Sequence, residues 1–291
     1  MKGINKLILG TAQFGLEYGI CNSKGKPSDE IIFEILNIAF DSGVRILDTA
    51  VVYGNAHQII GTYHNSHLSS SYKVNTKIPK GLQADYYESE IYQYLEDLQI
   101  NQIKTLMLHS FEDYSLGEAV KPALVSLKNQ RLIQQIGVSV YTNEQLTNAI
   151  NEDLIEVIQL PFNLLDNWEL RGELITKAKE KQKEIHIRSV FLQGLFFMDL
   201  GNTNPVMQEL KPYLYELHQI AAAAGMSIGE LAIRYAISFA EVDGVLIGVD
   251  GVAQLKDNVN VFHKGAMDSE LRDKISKVVV PATEWLNPSN W

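Results

Sequence analysis

The 291-residue chain has almost no cysteine and fewer basic than acidic residues. Cys21 is its only cysteine, and 25 Lys and Arg against 35 Asp and Glu give a net charge of −10. One cysteine excludes an intrachain disulfide framework or a multi-cysteine zinc site, and it is typical of a reducing compartment. The negative charge argues against nucleic acid or an anionic membrane surface as the main partner, since both bind basic patches. We expect a small-molecule partner.

Long apolar runs are also missing. Near the N-terminus only Leu7, Ile8 and Leu9 form a continuous run before Gly10, and no later stretch reaches about 18 uninterrupted apolar residues. This pattern predicts neither a signal-peptide core nor a membrane-spanning helix, so we expect a cytoplasmic protein without a membrane partner. The chain has only 8 prolines and no low-complexity linker. A single domain over residues 1–291 is therefore predicted, and the sequence leaves the oligomeric state open.

Short apolar runs alternate with longer helical patterns along the chain, which is typical of a parallel sheet. The predicted strands are residues 6–10, 44–48, 72–77, 103–109, 134–138, 157–160, 184–190 and 242–247. Eight such units predict an α/β fold of the (β/α)₈ TIM barrel type. A doubly wound nucleotide-binding sheet is the alternative, but its Gly-x-Gly-x-x-Gly turn is absent after the first and last strands.

Four chemically distinct side chains lie at or just after the ends of neighbouring predicted strands. Asp48 ends the second strand, Tyr53 follows it, and Lys77 and His109 end the third and fourth. Because the carboxyl ends of barrel strands meet at one rim, we expect these groups to share one catalytic site. A lysine paired with an aspartate lowers the pKa of a nearby phenol, so Tyr53 can act as a general acid. Such a site reduces carbonyls without a metal.

The motifs along the whole chain resemble those of the aldo-keto reductase superfamily. They read LILGTAQFG, LDTA, YGN, NTKIP, LHS, GVS, QLPFNLLD and GVDGVAQLKDN. Family members carry a catalytic Asp, Tyr, Lys and His tetrad, which matches Asp48, Tyr53, Lys77 and His109. The resemblance implies reversible hydride transfer between C4 of a nicotinamide, from NADP(H) or NAD(H), and a carbonyl carbon.

The resemblance also implies a set of nicotinamide-binding residues with two departures from the family pattern. Ser139 and Gln159 match the positions that bind the carboxamide, but Val140 stands where the family usually has Asn. In IRSVFLQGLF, Arg188 stands at the position of the usual aromatic ring, and Ser189 matches a serine on the pyrophosphate. The guanidinium of Arg188 could stack, contact a phosphate or an acidic substrate, or form a salt bridge at the rim.

After the eighth strand, the family position for the cofactor's 2′-phosphate has little positive charge. Gly248, Asp250, Gln254 and Asn258 are the expected cofactor contacts, and Lys256 is the only basic residue nearby. A phosphate is held by cationic or hydroxyl donors, so we expect only weak preference for NADP(H). Asp250 could instead accept a hydrogen bond from the ribose, as acidic residues do in NAD-selective sites of other folds.

Two other functions stay open beside an active reductase of an aldehyde, ketone or sugar. One is a nicotinamide-binding regulatory or partner subunit of the same fold, and the other is a barrel lyase or isomerase that uses Asp48 and His109 on a metal. The substrate, with a sugar or sugar nucleotide as one option, is not specified by any motif. Six aromatics in the predicted loops and at the C-terminus could line an apolar or sugar-stacking pocket: Tyr18, Phe111, Tyr114, Phe196, Phe197 and Trp291.

Overall fold

The computed structural model describes residues 3–20, 22, 25–116, 118–287 and 291; Cys21 lies outside this part of the chain. Its centre is a closed barrel of parallel strands in which each strand pairs with the next and the last pairs with the first. The strands in the described residues are β1 Leu7–Gly10, β2 Ile46–Asp48, β3 Lys73–Ile78, β4 Ile103–Leu108, β5 Ile133–Ser139, β6 Val157–Pro161, β7 Glu184–Arg188 and β8 Gly244–Gly248. The predicted (β/α)₈ barrel is confirmed.

Helices surround the barrel and fill every crossover. Within the described residues they are α1 Ala12–Gly15, α2 Asp29–Asp41, α3 Ala56–Ser66, α4 Tyr87–Leu98, α5 Phe111–Leu116, α6 Val120–Asn129, α7 Asn143–Ile150, α8 Trp168–Glu180, α9 Pro205–Ala223, α10 Ile228–Ile237, α11 Val252–Lys264 and α12 Ser269–Ser276. Short 3₁₀ helices are Ile4–Lys6, Leu68–Ser70, Ala84–Tyr86, Leu192–Phe197 and Thr283–Leu286. The last crossover, between β7 and β8, holds both α9 and α10.

No single helix in the described residues is long and apolar enough to cross a membrane. Only α9 and α10 taken together reach that length and composition, and they are bent by 88° relative to each other.

Apolar periodicity predicted the helices because one face of each packs against the sheet. In α2 the residues Ile32, Ile35, Leu36 and Ala39 are all buried in the core between sheet and helices. Their neighbour Ile31 is 41% exposed. It lies about 100° around the helix axis from Ile32, at the edge of the apolar stripe, where a side chain can remain in solvent.

Inside the barrel, alternate residues of each strand form the filling, which includes a cluster of polar side chains. At the amino-terminal end, the Glu184 carboxylate accepts hydrogen bonds from Lys104 Nζ at 3.2 Å and from Gln135 Nε2 at 2.8 Å. The buried ring of His186 lies on the same carboxylate, with Nε2 at 2.8 Å from its oxygen. This cluster closes the amino-terminal end of the barrel. The polar groups at the carboxyl-terminal end remain available to interact with a ligand.

His57 is a buried imidazole on α3, outside the barrel wall. Its Nε2 lies 3.0 Å from Thr76 Oγ1 of β3, and the ring stands edge-on to Tyr94 of α4. Burial lowers the pKa of His57 to about 4, since the nearby carboxylate of Asp97 only partly opposes the cost of desolvating a cation. This imidazole is therefore neutral in the folded protein at neutral pH.

The lowered pKa of His57 predicts a loss of stability in mild acid. The unfolded chain protonates this histidine near pH 6.5 and the folded protein only near pH 4, so proton uptake favours unfolding between these values. We expect this one group to reduce the free energy of unfolding by up to about 1.4 kcal/mol per pH unit in that window. Urea titrations at several pH values measure the slope.

His57→Gln is the informative variant, since the amide can still hydrogen-bond Thr76 but does not titrate. Its unfolding free energy should fall less steeply below pH 6.5 than that of the wild type. The exposed His263 on α11 provides the matched control, His263→Gln. Equal slopes for wild type and His57→Gln would contradict the assignment.

Candidate active site

The four predicted catalytic side chains come together at the carboxyl-terminal rim of the barrel. Asp48 is the last residue of β2, Lys77 the penultimate residue of β3, and His109 directly follows β4. Tyr53 lies in the loop between β2 and α3. All four line one cavity.

Lys77 and Asp48 form an ion pair inside the barrel, with only 2% and 3% of their side chains exposed. Lys77 Nζ donates a hydrogen bond to Asp48 Oδ1 and a second one to the Thr49 carbonyl at 3.1 Å. Burial by itself lowers the pKa of Lys77, but the charge of Asp48 and then Tyr53 outweigh it, so the pKa lies above its ordinary value. Lys77 is a permanent cation beneath the cavity.

Gln159 of β6 holds the other oxygen of Asp48. Its Nε2 donates to Asp48 Oδ2 at 2.8 Å, across the interior of the barrel. The sequence had indicated Gln159 only as a cofactor contact, because nothing in the spacing of residues 48 and 159 shows that their side chains meet. With both carboxylate oxygens bound, Asp48 keeps one orientation toward Lys77.

Tyr53 is fixed through its backbone by two glycines. Its ring centroid lies 5.5 Å from Lys77 Nζ, and its N–H donates to the Ala50 carbonyl at 3.0 Å. A Cβ on Gly15 at the end of α1 would lie 1.7 Å from the Tyr53 carbonyl oxygen, and one on Gly54 would lie 2.5 Å from the Gly15 carbonyl oxygen. Gly54 also has a left-handed φ of 57°. Only glycines allow the two backbones to approach this closely.

His109 is a neutral imidazole at the same end of the cavity. Burial lowers its pKa to about 4, with Lys77 and Arg188 adding to the effect and Asp48 opposing it. Neither ring nitrogen has a hydrogen-bond partner among the described residues. A neutral histidine can donate its N–H to a ligand oxygen while keeping its proton.

The cavity has a volume of about 650 Å³, within the usual range of small-molecule sites. It extends from the catalytic side chains, past the loop after β7, to the beginnings of α10 and α11. Its lining includes every residue that the sequence indicated as a catalytic or cofactor contact: Asp48, Tyr53, Lys77, His109, Ser139, Gln159, Arg188, Ser189, Gly248, Asp250, Gln254 and Asn258.

Two polar atoms beside the catalytic groups fit a carboxamide. Ser139, at the end of β5, is only 2% exposed, and its hydroxyl has no partner among the described residues. Gln159 uses its Nε2 on Asp48, so its Oε1 is left as an acceptor facing the cavity. A primary amide could donate to Gln159 and accept from Ser139, which is the pairing that a nicotinamide carboxamide needs. The residues present thus fit this group.

Arg188 at the end of β7 is not a salt-bridged rim residue. Its guanidinium forms no ion pair with a described carboxylate, whereas Arg171 and Arg234 do. It lies 4.2 Å from the ring centroid of Tyr141 and donates to the Val140 carbonyl at 3.4 Å and to Ser189 Oγ at 3.3 Å. The salt-bridge alternative for Arg188 was therefore wrong.

The loop that starts with Ser189 is conformationally unusual. Ser189, Leu192 and Gln193 all have left-handed φ values, between 47° and 61°. Such conformations cost about 1 to 3 kcal/mol each and are concentrated at functional sites. The Gln193 carbonyl accepts a hydrogen bond from Ile20 N–H at 3.2 Å, which joins this loop to the loop after β1 across the cavity.

The far end of the cavity is acidic. Asp250 and Gln254 bind each other there: Gln254 Oε1 accepts from the Asp250 N–H at 2.7 Å, and its Nε2 donates to Asp250 Oδ2 at 3.3 Å. Glu230 and Asp257, which sequence reasoning missed, also line this end. The exposed Lys256 is not among the lining residues, and no other described Lys or Arg lines the far end.

The aromatic residues predicted for the pocket divide into two groups. Tyr18 and Phe197 line the cavity, together with Tyr141 and Phe191, which the sequence did not single out. Phe111, Tyr114 and Phe196 are instead buried in the core, and the Trp291 indole donates to the Trp285 carbonyl. In the described part of the chain, no group of three or more His, Cys, Asp or Glu side chains is arranged to hold a metal ion.

A closed eight-stranded parallel barrel with this rim defines a TIM-barrel enzyme. The sequence model of the Aldo/keto reductase family matches residues 6–279. The chain belongs to the aldo/keto reductase family and is an oxidoreductase.

Similar proteins include the D-threo-aldose 1-dehydrogenase of a Pseudomonas species, 24% identical, which aligns over 86% of this chain and 89% of that protein. The L-galactose dehydrogenase of Arabidopsis thaliana is also 24% identical, over 86% and 85% of the two chains. Among solved structures, the holo form of an aldo-keto reductase from Bacillus halodurans superimposes with a TM-score of 0.76 at 19% identity, covering 94% of this chain and 91% of its own.

The glycine contact at Tyr53 predicts that Gly15→Ala lowers turnover. The added methyl would meet backbone that cannot yield, so the loop carrying Tyr53 must shift. A displacement of about 1 Å can cost 10²-fold in rate, which is the loss we expect in kcat. Gly201→Ala is the matched control, because its methyl would meet only the flexible carboxylate of Asp199. Wild-type kcat in Gly15→Ala would show that this contact does not position Tyr53.

Proposed function

We propose that this chain transfers hydride between a nicotinamide cofactor and the carbonyl carbon of a small molecule, with Tyr53 as the general acid. The single observation that carries the proposal is the convergence of Tyr53, Lys77 and His109 on one end of a cavity. Beside them, Ser139 and Gln159 offer unused polar atoms of the right kind for a carboxamide. When bound, the nicotinamide would supply or accept the hydride.

During carbonyl reduction, residues of this chain donate the proton and stabilise the negative charge that develops on the carbonyl oxygen. The carbonyl oxygen becomes more negative as hydride reaches the carbon, so it needs a proton and fixed hydrogen-bond donors. Tyr53 gives its hydroxyl proton, and the neutral His109 donates its N–H to the same oxygen. Lys77 stabilises the phenolate that remains, and Asp48, oriented by Gln159, balances the charge of Lys77.

Polyhydroxylated carbonyls are the substrate class that we favour. The relatives above are named for an aldose and for L-galactose. In this chain, Tyr18 and Phe197 at the cavity rim provide exposed ring faces, and apolar sugar faces stack on such rings. A sugar nucleotide belongs to the same class. We expect the protein to act in the cytoplasm on a free small molecule.

A nicotinamide-binding subunit without turnover is the second possibility within the same fold. A protein that only binds the cofactor needs the carboxamide contacts, but it does not need a phenol beside a buried cation. The complete tetrad therefore favours catalysis, and the comparison of binding with turnover below separates the two.

Replacing the proton donor should separate binding from catalysis. In Tyr53→Phe the ring stays and the hydroxyl goes, so we expect cofactor affinity to be kept and kcat to fall by about 10²- to 10⁴-fold. Tyr18→Phe removes another phenol of the same cavity and should cost far less. Steady-state rates with a panel of aldoses and aldehydes, and cofactor titrations, provide the readouts. If the larger loss occurred in Tyr18→Phe, the general acid would be misassigned.

The acidic far end of the cavity favours NAD(H). The extra phosphate of NADP(H) carries roughly −1.5 to −2 charges near neutral pH, as phosphomonoesters do. Asp250 and Asp257 would repel it, while Glu230 is already neutralised by Lys264 and Arg234. Asp250 Oδ1 remains able to accept a hydrogen bond from a ribose 2′-hydroxyl. We propose that NAD(H) is bound at least as well as NADP(H).

Titrations with both reduced cofactors test this preference. We expect NADH to bind the wild type at least as tightly as NADPH, and Asp250→Arg to strengthen NADPH binding by about tenfold through a charge-assisted contact. Glu180→Arg, at the end of α8, makes the same change in charge away from the cavity and should change neither the NADH nor the NADPH affinity. An NADPH affinity two orders of magnitude above that of NADH in the wild type would reveal an overlooked phosphate site.

A further inference from the structure

The guanidinium of Arg188 is a cation in the cavity that has no counter-ion among the described residues. Its polar contacts within the described residues are the Val140 carbonyl at 3.4 Å and Ser189 Oγ at 3.3 Å, both neutral. The other cation at this end, Lys77, is balanced by Asp48. Holding an unpaired charge in a half-buried position is unfavourable unless a ligand interacts with it.

The position of Arg188 brings its charge close to the reacting groups. In the barrel it is paired with Pro161 of β6, two residues after Gln159, and its contact with Val140 is next to Ser139. The guanidinium lies over the ring of Tyr141, 4.2 Å from its centroid, which limits its movement. It also contributes to the lowered pKa of His109. Arg188 therefore borders the place where Ser139 and Gln159 would hold a nicotinamide ring.

A nicotinamide ring carries a positive charge when it is oxidised and none when it is reduced. A fixed cation nearby disfavours the oxidised ring and leaves the reduced ring almost unaffected, since only the former has a charge to repel. We propose that Arg188 makes this protein bind reduced nicotinamide more tightly than oxidised nicotinamide, and so favours substrate oxidation. This inference rests on the proposed function.

The favoured direction follows from the balance of the reaction. An alcohol or hemiacetal loses a hydride from carbon and a proton from oxygen; the hydride goes to the oxidised ring, and the Tyr53 phenolate takes the proton. The ring thereby loses its positive charge beside Arg188. For the ring, substrate oxidation thus relieves a repulsion from Arg188. The protonation of Tyr53 is a separate change in charge, which cofactor binding measured without substrate leaves out.

The experiment measures the dissociation constants of NAD⁺ and NADH without substrate, by calorimetry and by quenching of protein fluorescence. In Arg188→Gln, which keeps hydrogen-bond donors but loses the charge, the ratio Kd(NAD⁺)/Kd(NADH) should fall by about tenfold. Arg188→Lys keeps the charge and should keep most of the ratio. Lys26→Gln removes one positive charge from the same rim, where Lys26 contacts Asn55, and should leave the ratio unchanged.

Arg188→Met is a second neutral variant, since its straight side chain can still cover Tyr141, and it serves if the glutamine variant does not fold. An unchanged ratio in a folded neutral variant overturns the inference while the proposed function stands. An unchanged ratio together with lost affinity for acidic substrates would assign Arg188 to the substrate instead. A wild type that binds neither form overturns the proposed function and this inference with it.

Discussion

The buried ion pair between Lys77 and Asp48 is the interaction on which the site depends. Removing two charges from water is costly, and a pair inside a protein is tolerated only when its remaining polar atoms are satisfied. Here Thr49 and Gln159 satisfy them, one from each side of the pair. Removing either charged partner would leave the other charge buried alone, and removing Thr49 or Gln159 would leave a polar atom of the pair unsatisfied. The rim of the barrel is therefore arranged around the pair, and the ring of Tyr53 lies beside it.

The closed barrel also places polar residues of the same strand in two separate regions, one at each end of the barrel. Strand β7 begins with Glu184, which closes the amino-terminal end, and finishes with Arg188, which lines the ligand cavity. Because alternate residues of a strand share one face, a single five-residue strand supplies both regions. In the amino-terminal cluster, both oxygens of Glu184 accept hydrogen bonds from neighbouring side chains. At the other end, Ser139, His109 and Arg188 keep polar or charged groups without a matching partner among the described residues, which is the condition for binding a ligand.

The ends of the strands could be predicted from the sequence because each short apolar run is followed by polar residues. This placed Asp48, Tyr53, Lys77 and His109 on one rim, and the family resemblance added Ser139 to the same cavity. The contact between Gln159 and Asp48 could not be foreseen, because it crosses the barrel between strands far apart in the chain. Glu230 was missed for a different reason: its helix belongs to the long last crossover, whose docking against the cavity no local pattern shows. Ile31 shows that apolar periodicity does not give the depth of burial, and Phe196 shows that a position in a predicted loop does not give it either.

The four-residue helix α1 lies between the loop that carries Tyr53 and the end of β8. Gly15 contacts the Tyr53 backbone on one side, and Gln13 fills the space beside Gly248 on the other. Since β1 and β8 pair only when distant parts of the sequence meet, the support of the Tyr53 loop is completed by a long-range contact. A partly assembled barrel would have the tetrad in its sequence but no fixed phenol. Catalytic competence would thus appear only at ring closure, making it a late and all-or-none signal of correct folding.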